Sequence, residues 1–244
     1  MPTPDVVPPA SAAAPPRTGS ATVRNATEMT EYLVGQIGDR LLVDSALATV
    51  TDEQREQLLV AAESDASILD FEPERAPLEQ FDAIVVFSFG NRVAADGTVS
   101  AGPTNRDLAI ATAALLEQRA VTVYAQWEVA EHLAADGVDD LVSIEPDIGA
   151  DGSVVYLSTA GVFEKAARLA SESGRPLEHV GVVGFADHAV RCVLTVRASG
   201  VDAAVPIEAE LPDTYDPESG QAWTRSRPVY LPTDLVGRLI LLQQ

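Results

Sequence analysis

The run Ile84-Val85-Val86-Phe87, followed by Ser88-Phe89-Gly90-Asn91, constrains this chain more than any other stretch. Four consecutive apolar residues rich in β-branching do not alternate in and out. They suit a strand covered on both faces, as in a parallel sheet. Gly90-Asn91 then offers a tight turn that can bring backbone N–H groups to a surface. A helix is expected from about Pro103 to Gln118, with Pro103 in its first turn. Strand, glycine turn and helix together mark the usual place for a small ligand, outside the carboxyl end of a strand.

The same alternation recurs downstream. Val121 to Ala125 reads as a second strand, ending in Gln126-Trp127-Glu128, and a helix from Val129 to Ala135 stops at Gly137. Leu141 to Ile144 or Val154 to Leu157 could supply the third strand. Ser158 or Thr159 reads most simply as the N-cap of the helix carrying Val162 to Leu169. Val180 to Phe185 is a further strand, followed by a helix to Ser199, a short strand from Val201 to Pro206 and a closing helix from Leu231 to Leu242. Between these last two elements lies a polar segment with Trp223, Arg225 and Arg227. Strands alternating with helices predict an α/β fold, doubly wound around a mainly parallel, Rossmann-like sheet.

Six prolines among alanines make residues 1–26 an expected disordered tail. Residues 27–244 then form one α/β domain. Its first part, residues 27–75, is an N-terminal helical appendage. One helix there is expected from Thr27 through Met29, Tyr32, Leu33, Ile37 and Leu41, and a second from a capping box at Thr51. These helices read as structural cover, a lid or a homodimer surface.

Charge narrows the partners. With 37 acidic against 16 basic residues the formal net charge is −21. A nucleic acid or an anionic membrane is therefore not expected as partner, whereas a few arginines could still hold a small anion. No apolar h-region or long apolar run is present, so the expected location is cytoplasmic. The single cysteine, Cys192, allows no internal disulfide and no multi-cysteine metal site. The chain contains no G-x-G-x-x-G, P-loop, H-E-x-x-H or G-x-S-x-G motif, and no metal is expected.

Among three histidines, His188 stands out. It follows a strand, adjoins Asp187 and lies one helical turn before Arg191. An imidazole can move protons near neutral pH and a guanidinium can grip an anion, although helix capping and an ordinary ion pair would use the same residues. Glu128 is a second candidate proton-transfer group. Gly90, Asn91, Asn105, Arg106, Gln126, Trp127, Ser158, Thr159, Asp187 and Arg191 are the candidate substrate- or cofactor-binding residues around them.

The order of these motifs resembles the DUF218 family, the YdcF/SanA/ElyC group of bacterial α/β proteins. The stretch from Phe81 to Asn91 is similar to that family's first strand and turn, and Thr104-Asn105-Arg106 to its polar helix start. Ser158 to Ala166 resembles its Ser/Thr-x-x-x-x-E-x-A segment, and Asp187-His188-Ala189-Val190-Arg191 its His-x-x-Arg helix start. The family's second strand usually ends in Ser-Gly-Gly, where this chain has Gln126-Trp127-Glu128. The resemblance implies a soluble enzyme of the YdcF-like branch. It would act on a small-molecule, nucleotide-like ligand by transfer or hydrolysis, with S-adenosylmethionine the implied compound. The alternative is a binding protein without catalysis.

Overall fold

A computed structural model describes residues 22–149 and 154–243. Most of the proline-rich tail lies outside the described residues. Val23 is already buried, and Asn25, not Thr27, caps the first helix by accepting from the Glu28 N–H. The described structure therefore extends ahead of the boundary at residue 27.

The helices are α1 (Ala26–Ile37), α2 (Arg40–Thr49), α3 (Asp52–Ser64), α4 (Pro103–Gln118), α5 (Trp127–Ala135), α6 (Thr159–Glu172), α7 (Ala186–Ala198) and α8 (Arg227–Leu239). The strands are β1 (Arg75–Ala76), β2 (Ala83–Val86), β3 (Arg92–Val93), β4 (Val99–Ser100), β5 (Thr122–Gln126), β6 (Leu141–Ile144), β7 (Asp147–Ile148), β8 (Val154–Val155), β9 (His179–Val183) and β10 (Asp202–Pro206).

Six strands form one sheet in the order β1-β10-β9-β2-β5-β6, and every pairing in it is parallel. Ile84, Val85 and Val86 of β2 are fully buried at its centre, as an unbroken apolar run requires. The chain winds from β2 to β5 and β6 in one direction, returns, and winds from β9 to β10 in the other. Right-handed crossovers then place α4 and α5 on one face and α6 and α7 on the opposite one. The reversal falls between β2 and β9, so the crevice outside the carboxyl ends of these strands is the topological switch point. Leu141–Ile144 supplies the strand beside β5, while Val154–Val155 pairs with β7 in a separate antiparallel ribbon.

The N-terminal layer differs from the two helices expected. Gly38 adopts φ 78° and ends α1, and Asp39 restarts the chain as the cap of α2. Leu41, expected on the inner face of a single helix, is consequently 82% exposed. The capping box at Thr51 forms as expected, with the Gln54 side chain reciprocating. The layer has its own core, and α8 completes it: Leu231, Leu235 and Leu239 pack with Met29, Leu33, Leu47, Leu58 and Leu69. The N-terminal helices thus form one side of a second core that α8 completes. No described helix is long and apolar enough to cross a membrane.

Candidate functional site

At the carboxyl ends of β2 and β9 lies a crevice of about 370 Å³. That is near the lower end of the range of small-molecule sites, about 300–1,000 Å³. Ser88, Gly90, Gln126, Tyr156, Ser158, Thr159, His188, Arg191, Trp223 and Tyr230 are among its walls. Six expected site residues therefore meet here: Gly90, Gln126, Ser158, Thr159, His188 and Arg191. Ser158 also caps α6 by accepting from the Gly161 N–H. Gln126 Oε1 accepts from the Ser88 N–H at 3.1 Å, which ties the ends of β5 and β2 together.

The β2 turn is held by residues expected to touch ligand. Asn105, fully buried, accepts from the Phe89 N–H and donates to the Gly90 and Ala101 carbonyls. Its amide is consumed in shaping the turn, so it is a support and not a wall. Asn91 is buried, and its carbonyl accepts from the Gly220 N–H and the Ser219 hydroxyl. Together with the two-pronged Arg92–Asp216 ion pair, this fastens the polar segment after β10 over the crevice.

Arg106 turns away to pair with Asp136 and borders a different concavity. Asp187 is occupied by Arg227 through two hydrogen bonds and by the Tyr215 hydroxyl, and it faces another hollow. Trp127 is not among the crevice walls; Trp223, from the polar segment, is.

Beneath the crevice lies a buried charge network organised by Asp234, which sequence reasoning did not select. Arg191 Nε donates to Asp234 Oδ1 at 2.7 Å and Nη2 to the Tyr230 hydroxyl at 3.0 Å. Arg238 Nε donates to Asp234 Oδ2 at 2.8 Å. His188 Nδ1 is 3.6 Å from Asp234 Oδ1. Tyr230, Asp234 and Arg238 recur every four residues on the inner face of an apolar helix, and this is the signal that could have revealed them. Burial alone would raise the Asp234 carboxyl, but Arg238 and Arg191 beside it hold it well below the usual carboxylate range. Burial, reinforced by the Arg191 charge, lowers His188 to about 4, so its ring is neutral at neutral pH. Nδ1 is buried and makes no hydrogen bond among the described residues, with Asp234 Oδ1 3.6 Å away, so Nε2 is the ring nitrogen that would serve a ligand.

Glu128 sits in the first turn of α5, just after β5, and like Trp127 is not among the crevice walls. It is fully buried, and among the described residues its carboxylate has only its own backbone N–H and the Ser88 hydroxyl close by as donors, neither at full hydrogen-bond geometry. Burial raises it to about 7, outweighing the lowering effect of its own backbone N–H and the Ser88 hydroxyl.

A larger concavity, about 1050 Å³, lies elsewhere between α3 and α7. Its lining is largely aliphatic with exposed Glu53, Glu56 and Asp65, and it lacks the convergent buried polar groups of the switch-point crevice. Comparison of the chain with protein-family models, curated proteins and solved structures finds no match, so the functional reading rests on the chemistry of this site.

Proposed function

We propose that the switch-point crevice binds a small anionic, nucleotide-like metabolite and that the protein is an enzyme transferring or hydrolysing a group on it. The observation that carries this reading is an excess of buried positive charge. Among the described ion pairs, Arg191 and Arg238 share the single carboxylate of Asp234, and His188 is neutral. One positive charge is left at the crevice, where an anionic ligand group would complete it.

Arg191 would grip the anion and Trp223 would offer an aromatic face. His188 would move the proton through Nε2. Burial is the larger cause that depresses His188 and the Arg191 charge the smaller; an anion on Arg191 would offset that charge and make the imidazole a somewhat better base. S-adenosylmethionine, cationic overall through its sulfonium and ammonium groups, meets these requirements only in part: its carboxylate would pair with Arg191 and its purine would stack on Trp223.

Native mass spectrometry of freshly purified protein tests the reading. A small anionic molecule should travel with the wild type, be lost in Arg191→Ala and be partly retained in Arg191→Lys. A crevice that holds no anion in any form of the protein would overturn the proposal. His188→Ala, folded and still binding, should lose turnover. A second reading, ligand binding without chemistry, is favoured by the low basicity of His188 before ligand arrives. It predicts that the ligand recovered after prolonged incubation has an unchanged mass.

A further inference from the structure

One face of α3 is turned into the concavity between α3 and α7. Glu53, Glu56, Gln57, Val60, Ala61 and Ser64 line it, at the i, i+3, i+4, i+7, i+8 and i+11 spacing of a single helical stripe. Leu58 and Ala62, on another side of α3, are already buried in the second core. On α7, Leu194, Arg197 and Ala198 repeat the i, i+3, i+4 spacing, and Leu239 and Leu241 from the end of the chain add to the apolar lining. Val60, in the middle of the α3 stripe, is 60% exposed. A lone exposed valine needs no explanation, but apolar side chains gathered from α3, α7 and α8 into one concavity mark an interaction surface.

Charge says what that surface fits. Glu53 and Glu56 border one end of the stripe and Asp65 the other, and among the described residues neither glutamate has an ion-pair partner. Arg197, the one cation of the described lining, is paired with Glu74. An apolar floor is therefore rimmed by negative charge, on a chain of net charge −21. An anionic lipid surface or a nucleic acid would be repelled. A second copy joined by a two-fold axis would set the same acidic rim against itself. An amphipathic helix with Lys or Arg beside its apolar stripe matches both the floor and the rim. Glu53 to Ser64 spans roughly 16 Å at 1.5 Å per residue, the length of about three helical turns.

We infer that the groove between α3 and α7 is a docking surface for a basic amphipathic helix of a partner protein. The apolar stripe of that helix lies on Val60, Ala61, Leu194 and Leu241, and its Lys or Arg side chains extend past the stripe to Glu53, Glu56 and Asp65. None of these residues lines the switch-point crevice, so the surface is separate from the anion site.

Fluorescence polarisation with three labelled synthetic peptides tests this on the full chain. One carries leucines at helical spacing flanked by lysines, one has the same composition with the stripe scrambled, and one has glutamate in place of every lysine. The striped basic peptide should bind at least about tenfold more tightly than the scrambled one, and the acidic peptide should not bind. Val60→Asp, a change at an exposed position outside both cores, should weaken the striped peptide at least about tenfold. Glu53→Gln with Glu56→Gln should weaken it severalfold and flatten its salt dependence. Asp107→Asn with Glu117→Gln removes as much charge from the exposed side of α4, across the sheet, and should leave affinity unchanged. Equal binding of striped and scrambled peptides, full affinity in Val60→Asp, equal weakening by the α4 pair, or no binding at all would each overturn the proposal. Sedimentation of the protein alone supplies the remaining outcome: a dimer abolished by Val60→Asp would give the groove to a second copy and overturn the partner helix.

Discussion

Gly90 is the residue at which the site is least tolerant of change. Its φ is 71°, and a Cβ there would stand 2.7 Å from the Ser219 hydroxyl and 2.8 Å from that of Thr224. Gly90→Ala combines backbone strain with a clash, so it should cost about 1–3 kcal/mol in urea unfolding and loosen the segment carrying Trp223. Asp234→Asn should cost more, about 3–5 kcal/mol, because it leaves two buried guanidinium groups without their carboxylate. Glu128 and His188 carry opposite pH signatures. His188 is lowered to about 4 from an ordinary value near 6.5, so the unfolded chain takes up a proton that the folded one refuses. Its contribution is complete above about 6.5 and lost as pH falls toward 4. Glu128 is raised to about 7 from 4.5, so its contribution is complete below about 4.5 and lost as pH rises through 7. Each effect is on the order of 3 kcal/mol and they oppose each other between about 4.5 and 6.5. Glu128→Gln should therefore make stability climb more steeply with pH across that window and raise it at pH 8, as read by denaturant midpoints. Glu128, His188 and Arg191 could be singled out in the sequence because each directly follows a strand or lies one turn beyond it. Asn105 and Arg106 could not be assigned correctly, since a helix start gives no direction for its side chains.

The element that joins the parts is α8. One side carries Leu231, Leu235 and Leu239 into the N-terminal core, and the other carries Tyr230 and Asp234 to the crevice. Arg238 binds Asp234 and also donates to the Ile68 and Asp70 carbonyls, linking the two sides by hydrogen bonds. Leu235→Ala should cost about 2–5 kcal/mol in thermal or urea unfolding and also weaken anion binding. Equal loss of stability with untouched affinity would show that the helix transmits nothing. The sequence made β2, β5, α4 and α7 legible because apolar runs and glycine stops are local. It concealed the role of α8, because that role depends on a partner layer far away in the chain. The break at Gly38 was also hidden, since Leu41 keeps helical spacing with Ile37.

At the scale of the whole molecule, a net charge of −21 surrounds the anion site proposed at Arg191. Long-range repulsion should slow the approach of an anionic ligand, and added salt should screen it. Association rates for adenosine 5′-diphosphate, followed by tryptophan fluorescence, should therefore rise with ionic strength, the reverse of a steered cationic surface. Alternating strands and helices made the doubly wound plan readable from sequence. The second core was not readable, because its halves lie at opposite ends of the described chain. That separation also has a consequence in time. The apolar faces of α1 to α3 leave the ribosome about 160 residues before Leu231. At 5–20 residues per second this is a wait of roughly 8–30 s without a lasting partner. The crevice lacks Tyr230 and Asp234 for the same interval, so newly made chains would acquire ligand only once their last helix has docked.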